Sequence, residues 1–108
     1  MTVYITQENR RWDYTPAEQF GDVEFVTGSE YSNMTNSPSN ARIRTEIAEM
    51  SSNFEPSQDY ILQSGDPIIF AMTYNALIVK FGSVQVLKYD RRHNVYLPYQ
   101  MGNTLSER

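Results

Sequence analysis

The chain has 108 residues, of which 40% are hydrophobic and 13% aromatic, and this composition fits one folded domain with a modest core. A formal net charge of −4 argues against a protein that coats duplex nucleic acid, and the absence of cysteine excludes disulfides and thiolate chemistry. No apolar stretch is long enough for a membrane helix, and the N-terminal residues do not have the pattern of a signal peptide. We therefore expect a cytoplasmic protein without a membrane partner.

The first quarter of the chain predicts two strands joined by a loop and a short helix. Alternating β-branched and aromatic residues predict strands over residues 2–6 and 22–27. Between them, Thr15 and Glu18 have the spacing of a capping box around a proline, which predicts a short helix over residues 15–20.

A long polar loop and an amphipathic helix follow. Residues 28–39 are rich in Ser, Asn, Thr, Gly and Pro, and Ser37 or Ser39 is a suitable N-cap for the next helix. Apolar residues then recur at spacings of four, three and four and predict one buried stripe, formed by Ile43, Ile47, Met50 and Phe54.

The central stretch, residues 59–89, predicts a strand, a tight turn, a helix and a second strand. The apolar run at residues 60–62 is short enough for a buried strand. Asp66 is an N-cap before Pro67 at the first helical position, and Gly82 stands where a left-handed C-cap is favoured. The pattern is that of a βαβ unit.

The C-terminal part predicts a polar turn at residues 90–94 and a last antiparallel strand over residues 95–97, limited by Pro98 at a sheet edge. We expect a single domain over residues 1–99 and a flexible tail over residues 100–108. The order β-α-β-α-β-α-β-β predicts a small three-layer, Rossmann-like α/β domain, with a mostly parallel sheet and an antiparallel hairpin edge.

The helix over residues 68–81 is apolar in nearly every direction around its axis. Such a helix is buried by its own chain or against a second copy, because large apolar surfaces seldom stay exposed on soluble monomers. We expect a homo-oligomer whose interface contains Ile69, Phe70, Thr73 and Leu77, with a single-chain core helix as the alternative.

Ligands of open parallel sheets bind outside the carboxyl ends of the strands. Four predicted loops at that edge contain arginine pairs, a helix N-terminus and aromatic residues, which together suit a phosphorylated ligand with a base. Trp12 or Tyr31 is placed to stack on such a base. The candidate ligand-binding residues are Arg10, Arg11, Trp12, Gly28, Ser64, Gly65, Asp66, Arg91 and Arg92.

Simpler interpretations exist for each of these features. The sequence Ser64-Gly65-Asp66-Pro67 is neither a P-loop nor a dinucleotide fingerprint, and the carboxylate of Asp66 repels phosphate unless it only caps the helix. Solvated turns explain the arginine pairs equally well. Only their expected convergence at one edge favours a ligand site.

Catalysis has less support in the sequence. The single histidine, His93, falls in the predicted hairpin turn, and no carboxylate pair or metal-ligand spacing is visible. We therefore predict no cofactor, no metal and no catalytic residue. An enzyme, such as a metal-free phosphodiesterase that depends on His93, is the third hypothesis.

Three segments carry a family resemblance: residues 9–22, residues 59–67 and residues 88–92. Together they resemble small α/β proteins encoded by tailed bacteriophages, over most of residues 1–98. The resemblance implies an accessory protein of a phage or mobile element, located in the host cytoplasm. It brings with it no specific activity and no catalytic residue.

The hypothesis is a homo-oligomeric phage accessory protein that senses or sequesters a phosphorylated small molecule, a nucleotide in the first place, without catalysis. Such sequestration would counteract a host defence. The alternative is a protein–protein interaction module, such as an inhibitor of a host enzyme or a virion component.

Overall fold

The computed structural model of the protein describes residues 1–30 and 37–102. These residues form a five-stranded mixed sheet with the strand order β2-β1-β3-β4-β5. The strands are β1 (Thr2–Gln7), β2 (Asp22–Thr27), β3 (Tyr60–Leu62), β4 (Ser83–Asp90) and β5 (Val95–Gly102). The first four strands are parallel and β5 is antiparallel to β4, which confirms the α/β class and the antiparallel hairpin at the edge.

Two α-helices begin where the capping residues predict. The helix α1 (Pro38–Asn53) follows Ser37, whose hydroxyl accepts a hydrogen bond from the N–H of Ser39. The helix α2 (Pro67–Phe81) follows Asp66, whose carboxylate accepts from the N–H of Ile68 at 2.9 Å. It ends at Gly82, which has a left-handed φ of 84°.

The two faces of the sheet are covered differently. On one face, α1 and α2 pack over a core cluster that contains Tyr4 of β1. On the other face, Val3 and Ile5 of β1 pack with Ala17, which lies in a 3₁₀ helix, Thr15–Phe20. The β1–β2 connection therefore crosses one face, and the connections through α1 and α2 cross the other. The carboxyl ends of β1 and β3 lie where these connections diverge.

The buried stripe of α1 is confirmed, since Ile43, Ile47, Met50 and Phe54 are all in the core of the helix-covered face.

The capping box at Thr15 and Glu18 is wrong. Thr15 is the first residue of the 3₁₀ helix, and no side chain caps that helix. The carboxylate of Asp13 instead accepts both the N–H of Thr15, at 3.0 Å, and its hydroxyl, at 2.6 Å. These hydrogen bonds hold the pKa of Asp13 below its ordinary value.

The last strand is longer than residues 95–97, because β5 continues past Pro98 to Gly102 and pairs with β4 along its full length. Gln100, Met101 and Gly102 thus belong to the sheet and not to a tail. Pro98 does not end the strand because it stands on an edge strand, where a missing N–H need not break a ladder bond.

Three of the four residues expected at an oligomer interface are in the core of the chain itself. Ile69, Thr73 and Leu77 are fully buried on the inner face of α2. The hydroxyl of Thr73 donates to the carbonyl of Ile69, one turn earlier in the helix. They cannot contact a second copy while α2 is in place. The helix is also not buried all round, since Val79 is 77% exposed.

Within residues 1–30 and 37–102, no helix is both long enough and apolar enough to cross a membrane.

Candidate ligand-binding cleft

The turn after β3 is held against the end of β1 by buried hydrogen bonds. The hydroxyl of Thr6 donates to the carbonyl of Ser64 at 3.1 Å, and it accepts from the N–H of Ser64 at 3.2 Å. The Ser64 hydroxyl is 2.6 Å from the Tyr14 hydroxyl, which also accepts the N–H of Asn9 at 2.9 Å. Ser64 therefore joins β1, β3 and the loop before the 3₁₀ helix.

The side chain of Gln7 closes the gap between the loops that follow β2 and β3. Its amide oxygen accepts the N–H of Asp66 at 2.6 Å, and its amide nitrogen donates to the carbonyl of Ser29 at 2.9 Å. Gly65 has a φ of 75°, and a Cβ at this position would overlap the Gln7 side chain. Glycine is thus required here both for the backbone angle and for the close approach of Gln7.

Because of these contacts, the backbone N–H groups of Asp66, Ile68 and Ile69 are not free to bind an anion. The N–H of Asp66 is bound by Gln7, and that of Ile68 by the Asp66 carboxylate. The N–H of Ile69 donates to the carbonyl of Asp66 at 3.1 Å, and Pro67 has no N–H.

Two concave regions lie along the carboxyl edge of the sheet. The larger, which we name the aromatic cleft, has a volume of about 800 Å³. It is lined by Asn9, Trp12, Tyr14, Leu62, Gln63, Ser64, Gly65, Phe70, Tyr74, Val86, Leu87, Lys88, Tyr89, Arg91, Tyr96, Tyr99 and Met101. The smaller, which we name the Gln7 crevice, has a volume of about 380 Å³ and is lined by Gln7, Glu8, Asn9, Arg10, Gly28, Glu30, Gly65 and Asp66.

One wall of the aromatic cleft is a cluster of three rings. Trp12 meets Tyr89 edge to face at a centroid distance of 5.2 Å, and Tyr89 lies 5.3 Å from Tyr96. The indole N–H of Trp12 donates to the Tyr96 hydroxyl at 2.9 Å. Burial raises the pKa of Tyr96, and the hydrogen bond from Trp12 acts against that shift. Trp12 keeps 42% of its surface exposed, so that a planar ligand has ring surface to contact.

The opposite wall comes from α2 and the outer strands. Phe70 and Tyr74 are stacked one turn apart on α2, with centroids 6.1 Å apart. Val86 of β4 and its partner Tyr99 on β5 lie on the same face of the sheet as α2. The cleft is therefore mostly apolar, as small-molecule sites usually are.

The two concave regions differ in charge. Among the described residues that line the aromatic cleft, Lys88 and Arg91 are charged and none is acidic. In the described part of the chain, neither cation has an ion-pair partner. The Gln7 crevice instead places Arg10 among three carboxylates, those of Glu8, Glu30 and Asp66. An anion is favoured in the aromatic cleft and disfavoured in the crevice.

The residues predicted to bind a ligand are divided between these regions. Trp12, Ser64, Gly65 and Arg91 line the aromatic cleft. Arg10, Gly28, Gly65 and Asp66 line the Gln7 crevice. Arg11 and Arg92 are exposed and line neither region. Tyr31 is outside the described residues.

Sequence reasoning missed several residues of the cleft, among them Tyr14, Lys88, Tyr89 and Tyr96. The signal for two of them was available, because extending the predicted hairpin ladder places Tyr89 opposite Tyr96. Gln7 was also missed, because its hydrogen bonds go to residues far away in the sequence, Asp66 and Ser29, and no local pattern predicts them.

His93 belongs to the hairpin turn. Its ring nitrogen Nδ1 is 2.7 Å from a carboxylate oxygen of Asp90, three residues earlier, and its side chain is 72% exposed. The contact with His93 is the main cause that lowers the pKa of Asp90 below its ordinary value. The His93–Asp90 pair stabilises a turn, and neither residue is among those that line the cleft.

The fold and this edge of the sheet define the class: an α/β protein with an open mixed sheet and an aromatic, positively charged cleft beside the carboxyl ends of β3 and β4. The chain matches the Phage Pam3 gp32-like protein family over residues 1–103, and it belongs to that family. The resemblance to bacteriophage proteins is thereby confirmed. Comparison with curated proteins and with solved structures gives no match.

Proposed function

We propose that this phage protein binds a small aromatic anion, of the nucleotide class, in the aromatic cleft and without catalysis. The observation that supports this function best is the charge of the cleft. A chain with a net charge of −4 lines this cleft with two unpaired cations and, among the described residues, no carboxylate.

The size and surface of the cleft suit such a ligand. A volume of about 800 Å³ is within the usual range for small-molecule sites. Exposed rings such as Trp12 provide a stacking surface, and stacking of a base on an aromatic side chain contributes about 1–3 kcal/mol. Lys88 and Arg91 add charge-assisted hydrogen bonds to a phosphate.

The position of the cleft supports the same proposal. The parallel strands have the order β2-β1-β3-β4, as in doubly wound sheets of the flavodoxin-like kind. In such sheets, ligands bind outside the carboxyl ends of the strands, near the point where connections go to opposite faces. The Rossmann-like description of this domain rests on that strand order.

Two neighbouring arginines provide the experiment. Arg91 lines the aromatic cleft and Arg92 does not, although both are exposed residues of the same turn. We would titrate the ¹⁵N-labelled protein with AMP, GMP, CMP and UMP and follow the amide and Trp12 indole resonances. We expect shifts at Trp12 and Lys88, and an affinity about five-fold lower for Arg91→Gln, as for loss of a partly exposed ion pair. Arg92→Gln serves as the matched control and should bind like the wild type.

The proposal fails if none of the four nucleotides shifts these resonances. It fails also if the shifts map to Gln7 and Gly28 in the crevice, or if the two arginine variants lose the same affinity.

A protein-interaction module is the second candidate, and a distinct observation favours it. Five of the eight large hydrophobic side chains that are exposed in the described chain are on α2 and β5: Ile68, Val79, Leu97, Tyr99 and Met101. Leu97, Tyr99 and Met101 alternate along β5 and therefore share one face of the sheet, and exposed apolar surface of this kind marks interaction sites. A homo-oligomer that used this surface would form through these residues and not through Ile69, Thr73 or Leu77. Sedimentation of the wild type and of the double variant Tyr99→Ser, Val79→Ser tests this interface. If the protein oligomerises through this surface, the double variant sediments as a smaller species than the wild type.

A further inference from the structure

The chemistry around the aromatic cleft limits how much negative charge its ligand carries. The first observation is the start of α2, which borders the cleft through Gly65 and Phe70. Proteins that hold a chain of phosphates use free backbone N–H groups at such a helix start. Here Gln7 and the Asp66 carboxylate already occupy those groups. No phosphate chain is held there unless Gln7 moves away.

The second observation concerns the metal that accompanies di- and triphosphates. These ligands bind as Mg²⁺ complexes, and proteins hold the ion through one or two carboxylates besides the phosphate oxygens. The described residues that line the cleft include no Asp or Glu. The three carboxylates of the neighbouring Gln7 crevice share that crevice with Arg10, which already supplies a positive charge.

The third observation is the number of cations. Lys88 and Arg91 are the two charged side chains among the lining residues, and together they balance one phosphate, which carries between one and two negative charges near pH 7. A triphosphate without Mg²⁺ would bring about twice that charge into a mostly apolar cleft without partners for it. With Mg²⁺ the net charge is similar to that of the monophosphate, but the ion would find no carboxylate among the described lining residues.

We infer, on the basis of the proposed function, that the cleft selects ligands with a single phosphate, of the nucleoside monophosphate class, over nucleoside di- and triphosphates complexed with Mg²⁺. Lys88 and Arg91 bind the phosphate, and the Trp12 side of the cleft contacts the base. The Gln7 side chain maintains the selection because it keeps the start of α2 closed to further phosphates.

Calorimetric titration of the full chain tests this inference. The probes are one nucleoside with its mono-, di- and triphosphate, at about 150 mM salt and with excess Mg²⁺, for each of the four bases. We expect the monophosphate to bind at least about five-fold tighter than the nucleoside, which lacks the ion pairs. The Mg²⁺ diphosphate and triphosphate should bind about five-fold more weakly than the monophosphate.

Two variants separate binding of the phosphate from binding of the base. Lys88→Gln should lower the affinity for the monophosphate about five-fold and the affinity for the nucleoside much less, so that most of the preference between them is lost. Arg92→Gln, outside the cleft, should change neither value. Both positions are exposed, so we expect each variant to fold, and circular dichroism checks this.

The outcomes distinguish this inference from the proposed function. If a Mg²⁺ triphosphate binds as tightly as the matching monophosphate, or tighter, the inference is overturned while nucleotide binding stands. The same holds if nucleoside and monophosphate bind equally well. If no member of the series binds, the proposed function fails and the inference fails with it.

Discussion

The bridge that the Gln7 side chain forms between the loops after β2 and β3 leads to a quantitative prediction for Gln7→Ala. The substitution removes the acceptor of the Asp66 N–H and the donor to the Ser29 carbonyl, at 2.6 and 2.9 Å. One such bond contributes about 0.5–1.5 kcal/mol net, so we expect the free energy of unfolding to fall by about 1–3 kcal/mol. The effect should be near the upper value if the carbonyl of Ser29 stays shielded from water.

Gln63 provides the matched control for this glutamine. Its side chain is exposed and makes one bond, at 3.1 Å, to the carbonyl of Gly65 two residues away. Gln63→Ala should change the free energy of unfolding by no more than about 0.5 kcal/mol, as for other surface substitutions.

Urea unfolding followed by Trp12 fluorescence and by circular dichroism measures both values. The reasoning is refuted if Gln7→Ala and Gln63→Ala agree within about 0.5 kcal/mol. That result would mean that the bridge between the loops contributes no more than a surface contact. It would also remove the physical reason for keeping the start of α2 closed.

Two further predictions concern α2 and the hairpin turn. Leu77 is fully buried within one chain, so Leu77→Ala should lower the free energy of unfolding by about 3–5 kcal/mol at every protein concentration. Val79 is 77% exposed, and Val79→Ala should change it by about 0.5 kcal/mol at most. Single-chain burial is contradicted if the difference in stability between Leu77→Ala and the wild type changes with protein concentration. His93→Ala removes the largest cause of the lowered pKa of Asp90, so the pKa of Asp90 should rise in a carboxyl ¹³C titration. A lowered carboxyl pKa stabilises the fold at pH values above the ordinary pKa, and this stability is lost as the pH falls through the pKa of the folded state. The variant should therefore be less stable than the wild type above about pH 4 and equally stable at lower pH. Identical titrations of Asp90 in the two proteins would refute the assignment.

The aromatic cleft and the exposed apolar surface share a structural origin. In a sheet whose last strand is reached through a helix, that helix would cover β4 and β5. Here β5 follows β4 through a hairpin turn, so no helix is placed over it. The rings of Tyr74 and Tyr99 consequently line an open cleft instead of a closed core. Ligand binding and partner binding are therefore proposals about overlapping parts of one surface, because Tyr99 and Met101 belong to both.

What the sequence determined by itself is local. The N-cap of Asp66 and the left-handed Gly82 depend on hydrogen bonds that span four residues or fewer. The buried stripe of α1 depends on helical periodicity. These signals were sufficient for the order of elements and for the mostly parallel sheet, and they placed the loops at one edge.

Only the tertiary structure decided which side chains meet at that edge. The bond between Trp12 and Tyr96 joins residues 84 positions apart, and the bond between Thr6 and Ser64 joins residues 58 apart. Such contacts depend on strand order and on which face each connection crosses, and neither leaves a periodic trace in the sequence. For the same reason, the apolar composition of α2 could not show that Leu77 faces the sheet while Val79 faces solvent. Composition reports how much apolar surface a helix has, whereas the packing of the sheet beside it determines which part is covered.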